Sequence, residues 1–484
     1  MSSTQVMVSR RHRIAIVARS ARCVPVLLAC VLALTGCGGG VHGTPGGSGV
    51  RDPYFPKAGN GGYDVRHYGL RLAYEPDAHR LTGTATLTAR ADEDLSAFNL
   101  DLLGLEVGEV TVGGRPARFN RAGQELTVRP RDDIRRGATF RVTVRYSGVP
   151  QTVTDPDGSQ EGWLRTADGV LALGEPTGSM AWFPGNHHPS DKAAYDLTVT
   201  VPEGLRAVSN GELRGERTAG GRTTTEWHMG RPMASYLATL AIGRFEVDRS
   251  RTPAGLPVYT AVDPAEAEAS GPVLRRLPEV LAWAERRFGP YPFSSTGAIV
   301  DRAPELGYAL ETQTRPVFPG APDLTLLVHE LAHQWYGDSV SPESWRDMWL
   351  NEGFATYAEW LWEEEHGGRS AQQTFDALYS GSYFTTEEEA EEVWAFPPAE
   401  PPDAARISDP AVYWRGAMVL QQVRRTVGDA AFGRILRGWA AAYHYGNAGT
   451  ADFTAYVERQ APGKDLDPVW RDWLYGEGKP DGTP

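Results

Sequence analysis

The stretch HELAHQWYGDSVSPESWRDMWLNEGFATYAEWLW, residues 329–362, holds two histidines four positions apart and, after a gap of eighteen residues, a glutamate. On a helix, positions i and i+4 share a face, so His329 and His333 present two imidazole nitrogens to one ion. Glu330 projects to the side where water on such an ion would lie. Glu352 falls in DMWLNEGFATYAEWLWEE, whose apolar residues recur at helical spacing, so a second helix packed on the first supplies a third ligand. Two histidines and one carboxylate, with a fourth position left open, is the pattern of a catalytic zinc; a structural zinc closes that position, usually with cysteine. In a chain of this composition H-E-x-x-H arises by chance only roughly 0.02 times. The chemistry such a site offers is hydrolysis: zinc activates water and polarises a carbonyl, and Glu330 moves the proton from water to the leaving amine. A peptide bond is the natural target. Glu359, two turns beyond Glu352 on the same face, reads either as a hydrogen-bond acceptor for a ligand histidine or as a solvent-facing glutamate.

The elements that position these groups are legible from patterning. LTGTATLTAR, ATFRVTVRYSG and AAYDLTVTVPEG alternate apolar and polar residues between Gly, Pro and Asp clusters, which predicts short strands from about Tyr63 to Val247. After Thr252-Pro253 the pattern turns helical. A helix is expected to open at Asp263-Pro264 and stop at Gly289-Pro290, followed by one strand, TGAIVD, and then mostly helices to about Tyr475. Trp345, Trp349, Trp360 and Trp362 read as core. The acidic run at 387–392 reads as a solvated helix face or loop.

The N-terminus is set apart by composition. Residues 1–36 carry five arginines and no acid, then the apolar run VPVLLACVLAL, too short to span a bilayer as a mature helix: an export signal. It ends in Leu34-Thr35-Gly36-Cys37, which resembles the lipobox of bacterial lipoproteins and implies lipidation of Cys37 and anchoring on the outer face of the cytoplasmic membrane. Adjacent Arg10 and Arg11 leave the twin-arginine export route open. The only other cysteines, Cys23 and Cys30, lie in the signal, so the exported chain has no disulfide and no thiolate to give a metal. Removing the five arginines takes the formal charge from −13 to −18, which disfavours nucleic acid as a partner. GGGVHGTPGGSG reads as a flexible tether. The expected organisation is a signal over 1–36, a tether over 37–52, a β domain over 53–250 and a catalytic domain over 251–484.

H-E-x-x-H, eighteen residues and then glutamate within N-E-G-F-A resembles the zinc signature of the gluzincin aminopeptidases typified by aminopeptidase N and leukotriene A hydrolase. The resemblance runs from YDVRHYGLRLAYEP to DPVWRDWLYG. It implies an α+β fold, with an N-terminal antiparallel β saddle or sandwich followed by a thermolysin-like, mainly helical domain holding one Zn2+. GYALETQTRP, residues 307–316, is similar to the G-A-M-E-N segment that binds the free α-amine of the substrate, which gives Glu311 that role; Tyr308, Leu310 and Thr312 depart from the pattern. EPTGSMAWFPGNHHPSDKA, residues 175–193, is similar to the segment of the β domain that assists at the amine, with Glu175 the match. Met180 stands there for arginine, and His187-His188 stand near the expected acidic pair. His187 and His188 read as a satisfied or exposed pair rather than a second metal site. VYWRGAMVL, residues 412–420, resembles the segment whose tyrosine stabilises the oxyanion, which assigns Tyr413. The chain resembles a short form without the large C-terminal helical domain of many relatives.

Three functions fit. The first is a membrane-tethered zinc aminopeptidase acting on peptides with a free N-terminus. The second is a zinc endopeptidase with an open groove. The third is a non-enzymatic peptide-binding lipoprotein, which would have no need of Glu330 or Tyr413. The preferred first residue and the oligomeric state are not encoded in any motif.

Overall fold

The computed structural model describes residues 42–481. The export signal, Cys37 and the start of the tether lie outside the described residues. The described residues pack as one compact unit.

The alternating segments become strands, as their pattern predicts. Arg80–Ala91, Thr139–Gly148 and Lys192–Pro202 each bury every second side chain. A fully buried Leu or Val is worth about 1.5–3 kcal/mol, so Leu81, Leu87, Val142, Val144, Val199 and Val201 on these inner faces fix the register. They belong to an eight-stranded sheet ordered Glu212–Ala219, Arg222–Ala234, Lys192–Pro202, Tyr63–Glu75, Arg80–Ala91, Thr139–Gly148, Glu106–Val112 and Arg115–Pro116. One pairing in it is parallel, Lys192–Pro202 on Tyr63–Glu75, because those strands meet across a long excursion of chain rather than a hairpin. A five-stranded sheet, including Gln160–Arg165 and Val170–Leu173, carries the loops that reach the site. A mixed sheet of Glu246–Arg251, Pro257–Val262, Thr296–Val300 and Val317–Phe318 leads into the helical half.

That half holds α1 (Ala267–Leu274), α2 (Leu277–Phe288), α3 (Leu324–Ala332), α4 (Trp349–Glu365), α5 (Ala371–Ser380), α6 (Glu387–Glu392), α7 (Gly416–Val427), α8 (Asp429–Ala442) and α9 (Thr450–Gln460). The helix expected to run unbroken from Asp263 to Gly289 is two. Pro278 has no N–H to give, and its ring would clash with the carbonyl of Leu274, so the chain breaks at Arg275-Arg276 and Pro278 sits in the first turn of α2. The acidic run is α6, exposed along its length and capped by Thr386, whose side chain and that of Glu389 satisfy each other's backbone N–H. Trp345, Trp349, Trp360 and Trp362 are buried.

The segment read as a free tether over 37–52 is docked in its described part. The Gly43 N–H donates to Asp133 Oδ2 at 2.7 Å, and Thr44 pairs with Leu95. Asp52 is buried: Oδ1 accepts the N–H of Tyr54 and Phe55 at 2.9 and 3.0 Å, while Oδ2 accepts from Ser344 Oγ at 2.9 Å and the Trp345 N–H at 3.0 Å. His188 Nε2 lies 3.3 Å from the same Oδ2. Flexible composition did not keep this arm free because a single buried carboxylate with five partners outweighs the ordering entropy of a few residues. The arm thereby joins the β-rich half to the turn that opens α4.

Candidate metal centre and its cavity

α3 begins at Asp323, whose Oδ1 accepts the Leu326 N–H at 2.8 Å. From that cap the helix delivers His329 and Glu330 on its last turn, and His333 follows as the C-cap residue, still in helical conformation. α4 carries Glu352 in its own first turn. The two helices pack so that Glu352 Oε2 lies 3.2 Å from His329 Nε2 and 3.5 Å from His333 Nε2. The far ring nitrogens are already committed. His329 Nδ1 is 2.6 Å from Glu359 Oε1, and His333 Nδ1 is 3.0 Å from the Tyr336 carbonyl oxygen. Both Nε2 atoms are thus turned inward, and with Glu352 they form a group whose ligand atoms all lie within 4.8 Å of one another. Two imidazoles and one carboxylate with no thiolate is a donor set that fits zinc. Burial opposes charge on His333, yet the carboxylates of Glu311 and Glu352 push it up to about 9, so the site has a strong appetite for positive charge.

α4 and α7 cross at glycines. A Cβ on Gly353 would stand 2.9 Å from the Gly416 carbonyl carbon, and one on Gly416 would stand 3.1 Å from the Gly353 Cα. This contact sets the spacing between Glu352, just before one glycine, and Tyr413, in the π-turn Ala411–Arg415 just before the other. The Tyr413 ring lies parallel to that of His329, with centroids 6.2 Å apart. Burial first, then the negative charge of Glu352 and Glu175, holds its phenol well above the ordinary range, so it remains a neutral donor.

Gln334, next to His333, ties the segment of Glu311 to the end of α3: its Nε2 donates to the Glu311 carbonyl at 3.1 Å and its Oε1 accepts the Thr314 N–H at 2.7 Å. The Glu311 side chain is 2% exposed, and its Oε1 has no hydrogen-bond partner. Oε1 of Glu175 is also buried and unpartnered. Oxygens of Glu175, Glu311 and Glu352 lie within 4.8 Å of one another. Such crowding of carboxylates is costly without a cation among them. Glu330 Oε2 is a further unpartnered atom, and burial pushes its carboxyl up to about 8.

All the candidate site residues other than Cys37 therefore line one cavity of about 700 Å3. Glu359 resolves to the histidine acceptor rather than the solvent-facing residue. His187 and His188 are buried and hydrogen-bonded elsewhere, His187 Nε2 to the Phe183 carbonyl at 3.0 Å and His188 Nδ1 to Ser190 Oγ at 2.7 Å; among the described residues neither joins a metal-ligand group. Sequence reasoning missed the turn at Asp155 to Ser159 and the wall at Ala404, Ile407 and Ser408, which also line the cavity. No periodicity or motif marks them, since they meet the metal ligands only through the fold.

Comparison with known proteins matches residues 64–237 to the peptidase M1 N-terminal domain and residues 322–473 to the peptidase family M1 domain. The crystal structure of an M1 zinc metallopeptidase from Deinococcus radiodurans superposes with a TM-score of 0.81 at 30% identity, covering 90% of this chain and 100% of that one. The chain belongs to the M1 peptidase family. Its α+β architecture is that of the M1 zinc metallopeptidases, and zinc is the cofactor of that family. A leucyl aminopeptidase of Saccharolobus solfataricus is 25% identical over 449 residues, 86% of this chain and 54% of that one. A probable aminopeptidase of Sulfurisphaera tokodaii is 25% identical over 422 residues, 80% of this chain and 50% of that one. This M1 chain thus spans about half the length of the curated relatives it matches.

Proposed function

We propose that the protein is a zinc aminopeptidase that hydrolyses the first peptide bond of peptides with a free N-terminus. The observation that carries this reading is the group of Glu175, Glu311 and Glu352, whose carboxylate oxygens converge beside the two histidines with two of them left unpartnered. An α-ammonium group satisfies that cluster, and holding it there presents the adjoining carbonyl to the metal side of the cavity. Names of relatives agree with it: aminopeptidases recur among them, and a variant of the Deinococcus radiodurans enzyme was solved with a Tyr-Ser-Ala substrate.

His329, His333 and Glu352 would hold the zinc, which when bound supplies a Lewis acid for water and carbonyl. Glu330 takes the proton of the attacking water and returns it to the leaving amine. Its buried, unpartnered carboxyl suits both transfers, because a group balanced near neutrality accepts and releases a proton with little penalty. Tyr413 donates its hydroxyl to the oxygen on which negative charge develops. Glu359 fixes the tautomer and ring orientation of His329. Glu175 and Glu311 bind and orient the ammonium. The short apolar run before Cys37 supports export and lipid anchoring at that residue on the outer face of the cytoplasmic membrane.

The test compares aminoacyl anilides with their N-acetylated counterparts, with and without Glu330→Ala. Cleavage of free amines alone, lost in the variant, is expected. Equal cleavage of acetylated substrates would replace this reading with an endopeptidase, and turnover of neither would leave a binding protein.

A further inference from the structure

The turn Asp155-Pro156-Asp157-Gly158-Ser159 joins strands Thr152–Thr154 and Gln160–Arg165 and projects into the cavity. It is tightly held: the Asp155 N–H donates to the Ser159 carbonyl at 2.9 Å, and the Gly158 N–H donates to the Asp155 carbonyl at 2.9 Å. Gly158 sits at φ 92, where a side chain would be strained. The turn is also tied to the amine-binding acids. Glu161, fully buried, accepts the Thr177 N–H at 2.9 Å and Thr177 Oγ1 at 2.8 Å, two residues after Glu175. Across the cavity, Tyr308 donates its hydroxyl to the Gln160 carbonyl at 2.7 Å. Tyr308 is one of the departures from the G-A-M-E-N pattern: a phenol ring stands where a glycine would leave space, and it locks this turn against the segment that carries Glu311.

The acids of the cavity can be accounted for one by one. Glu352 joins the histidines as a ligand and Glu359 supports one of them, Glu330 serves the proton, Asp323 the cap of α3, and Glu175 and Glu311 the ammonium. Asp157 is exposed and spent within the turn, where its Oδ1 accepts the Ser159 N–H at 2.8 Å and Ser159 Oγ at 2.7 Å. Asp155 remains. It is 8% exposed, lines the cavity, and is pressed against the buried Glu161 with no lysine or arginine lining the cavity beside it. Burial, then repulsion from Glu161, pushes its carboxyl up to about 10, a cost that an arriving cation would relieve. Independently of this pair, the buried and unpartnered Glu311 Oε1 aims into the same cavity and marks where the α-ammonium of a ligand sits. The same cavity is lined by apolar surfaces of Leu306, Pro156, Pro176 and the ring of Tyr308. An alkyl stem fits such walls, and a cationic head fits their end.

Resting on the aminopeptidase reading, we infer that Asp155 determines specificity by receiving the guanidinium or ammonium head of an N-terminal arginine or lysine whose stem lies against Tyr308. The substrate class is therefore peptides with a basic first residue. Citrulline tests this directly, having the length and shape of arginine without its charge.

The experiment measures kcat/KM of the zinc-loaded protein for arginyl, citrullinyl, lysyl and leucyl anilides, and repeats the arginyl and citrullinyl pair with Asp155→Asn. A charge-assisted hydrogen bond in a buried site predicts arginine over citrulline by at least about tenfold, falling to within about threefold in the variant. The ratio is taken within one preparation, so partial misfolding of the variant does not change it. Equal rates on arginyl and citrullinyl anilides in the unaltered protein, or a ratio unmoved by Asp155→Asn, would overturn the inference while leaving the aminopeptidase reading intact. Failure to cleave any free-amine anilide would overturn both.

Discussion

Glu359 stands outside the group of His329, His333 and Glu352, yet its contact with His329 predicts a measurable share of the zinc affinity. Its Oε1 lies 2.6 Å from His329 Nδ1, a charge-assisted hydrogen bond that fixes the ring and makes its Nε2 a stronger donor to metal. Loss of such an outer partner costs about 10–100-fold in metal affinity, or about 1.4–2.7 kcal/mol. The side chain of Glu359 is 23% exposed against 11% for His329, so water screens part of the charge. Glu359→Gln keeps an acceptor in place and removes only the charge, and belongs near the tenfold end. Glu359→Ala removes both, frees the ring to turn, and belongs near the hundredfold end. His333 is the internal reference, because its Nδ1 is held by the Tyr336 backbone carbonyl and neither substitution reaches it. The assay is competition with a chromophoric chelator at fixed pH, giving the zinc Kd without any substrate. Zinc affinities of both variants within twofold of the unaltered protein would refute the assignment of Glu359 to the support of His329.

Three further outcomes are expected. Tyr413→Phe should lower kcat by about 10²–10³-fold with little change in KM, since the hydroxyl acts on charge that develops during reaction; a change confined to KM would show a binding role instead. Gly416→Ala sets a gain in helix propensity of up to about 1 kcal/mol against an overpacking cost of about 1–3 kcal/mol where its Cβ would stand 3.1 Å from the Gly353 Cα, so Tm should fall and kcat/KM with it; a rise in Tm would refute the close crossing. Burial pushes the Asp301 carboxyl up to about 7, so between the ordinary aspartate value and pH 7 the folded state holds a proton that the unfolded state has released, and stability falls as pH rises through that window. Denaturant titrations at pH 4.5 and 7.5 should show Asp301→Asn gaining on the unaltered protein as pH rises, and a pH-independent difference would exclude the linkage.

The candidate metal ligands were legible because a helix converts spacing into direction: His329 and His333 had to share a face with Glu330 at its side, and Glu352 had to approach from a second amphipathic helix. Strands such as Arg80–Ala91 were legible because burial on one face imposes alternation. Two kinds of feature were not. Contacts between segments far apart in the chain, such as Tyr308 with Gln160, or Asp52 with Trp345, leave no periodic trace. Local competition was misjudged where Pro278 divides the helix after Asp263, and where a glycine-rich arm carries a carboxylate able to anchor it. Glu359 marks the boundary between the two kinds. Its helical face was evident, but whether that face met His329 or water depended on how α3 and α4 cross.

The docked arm has a consequence for where the enzyme works. With the arm seated from Gly43, an anchor on Cys37 would leave five residues between lipid and folded body, and the six steps from Cys37 to Gly43 reach, fully extended, no more than about 20 Å. That is shorter than the bilayer is thick, and short against the body itself. A protein held on so short a leash would not sweep the surrounding medium. It would meet only what arrives at the surface it stood on, and lengthening the stretch between Cys37 and Gly43, with every atom of the cavity untouched, would widen the zone from which it draws.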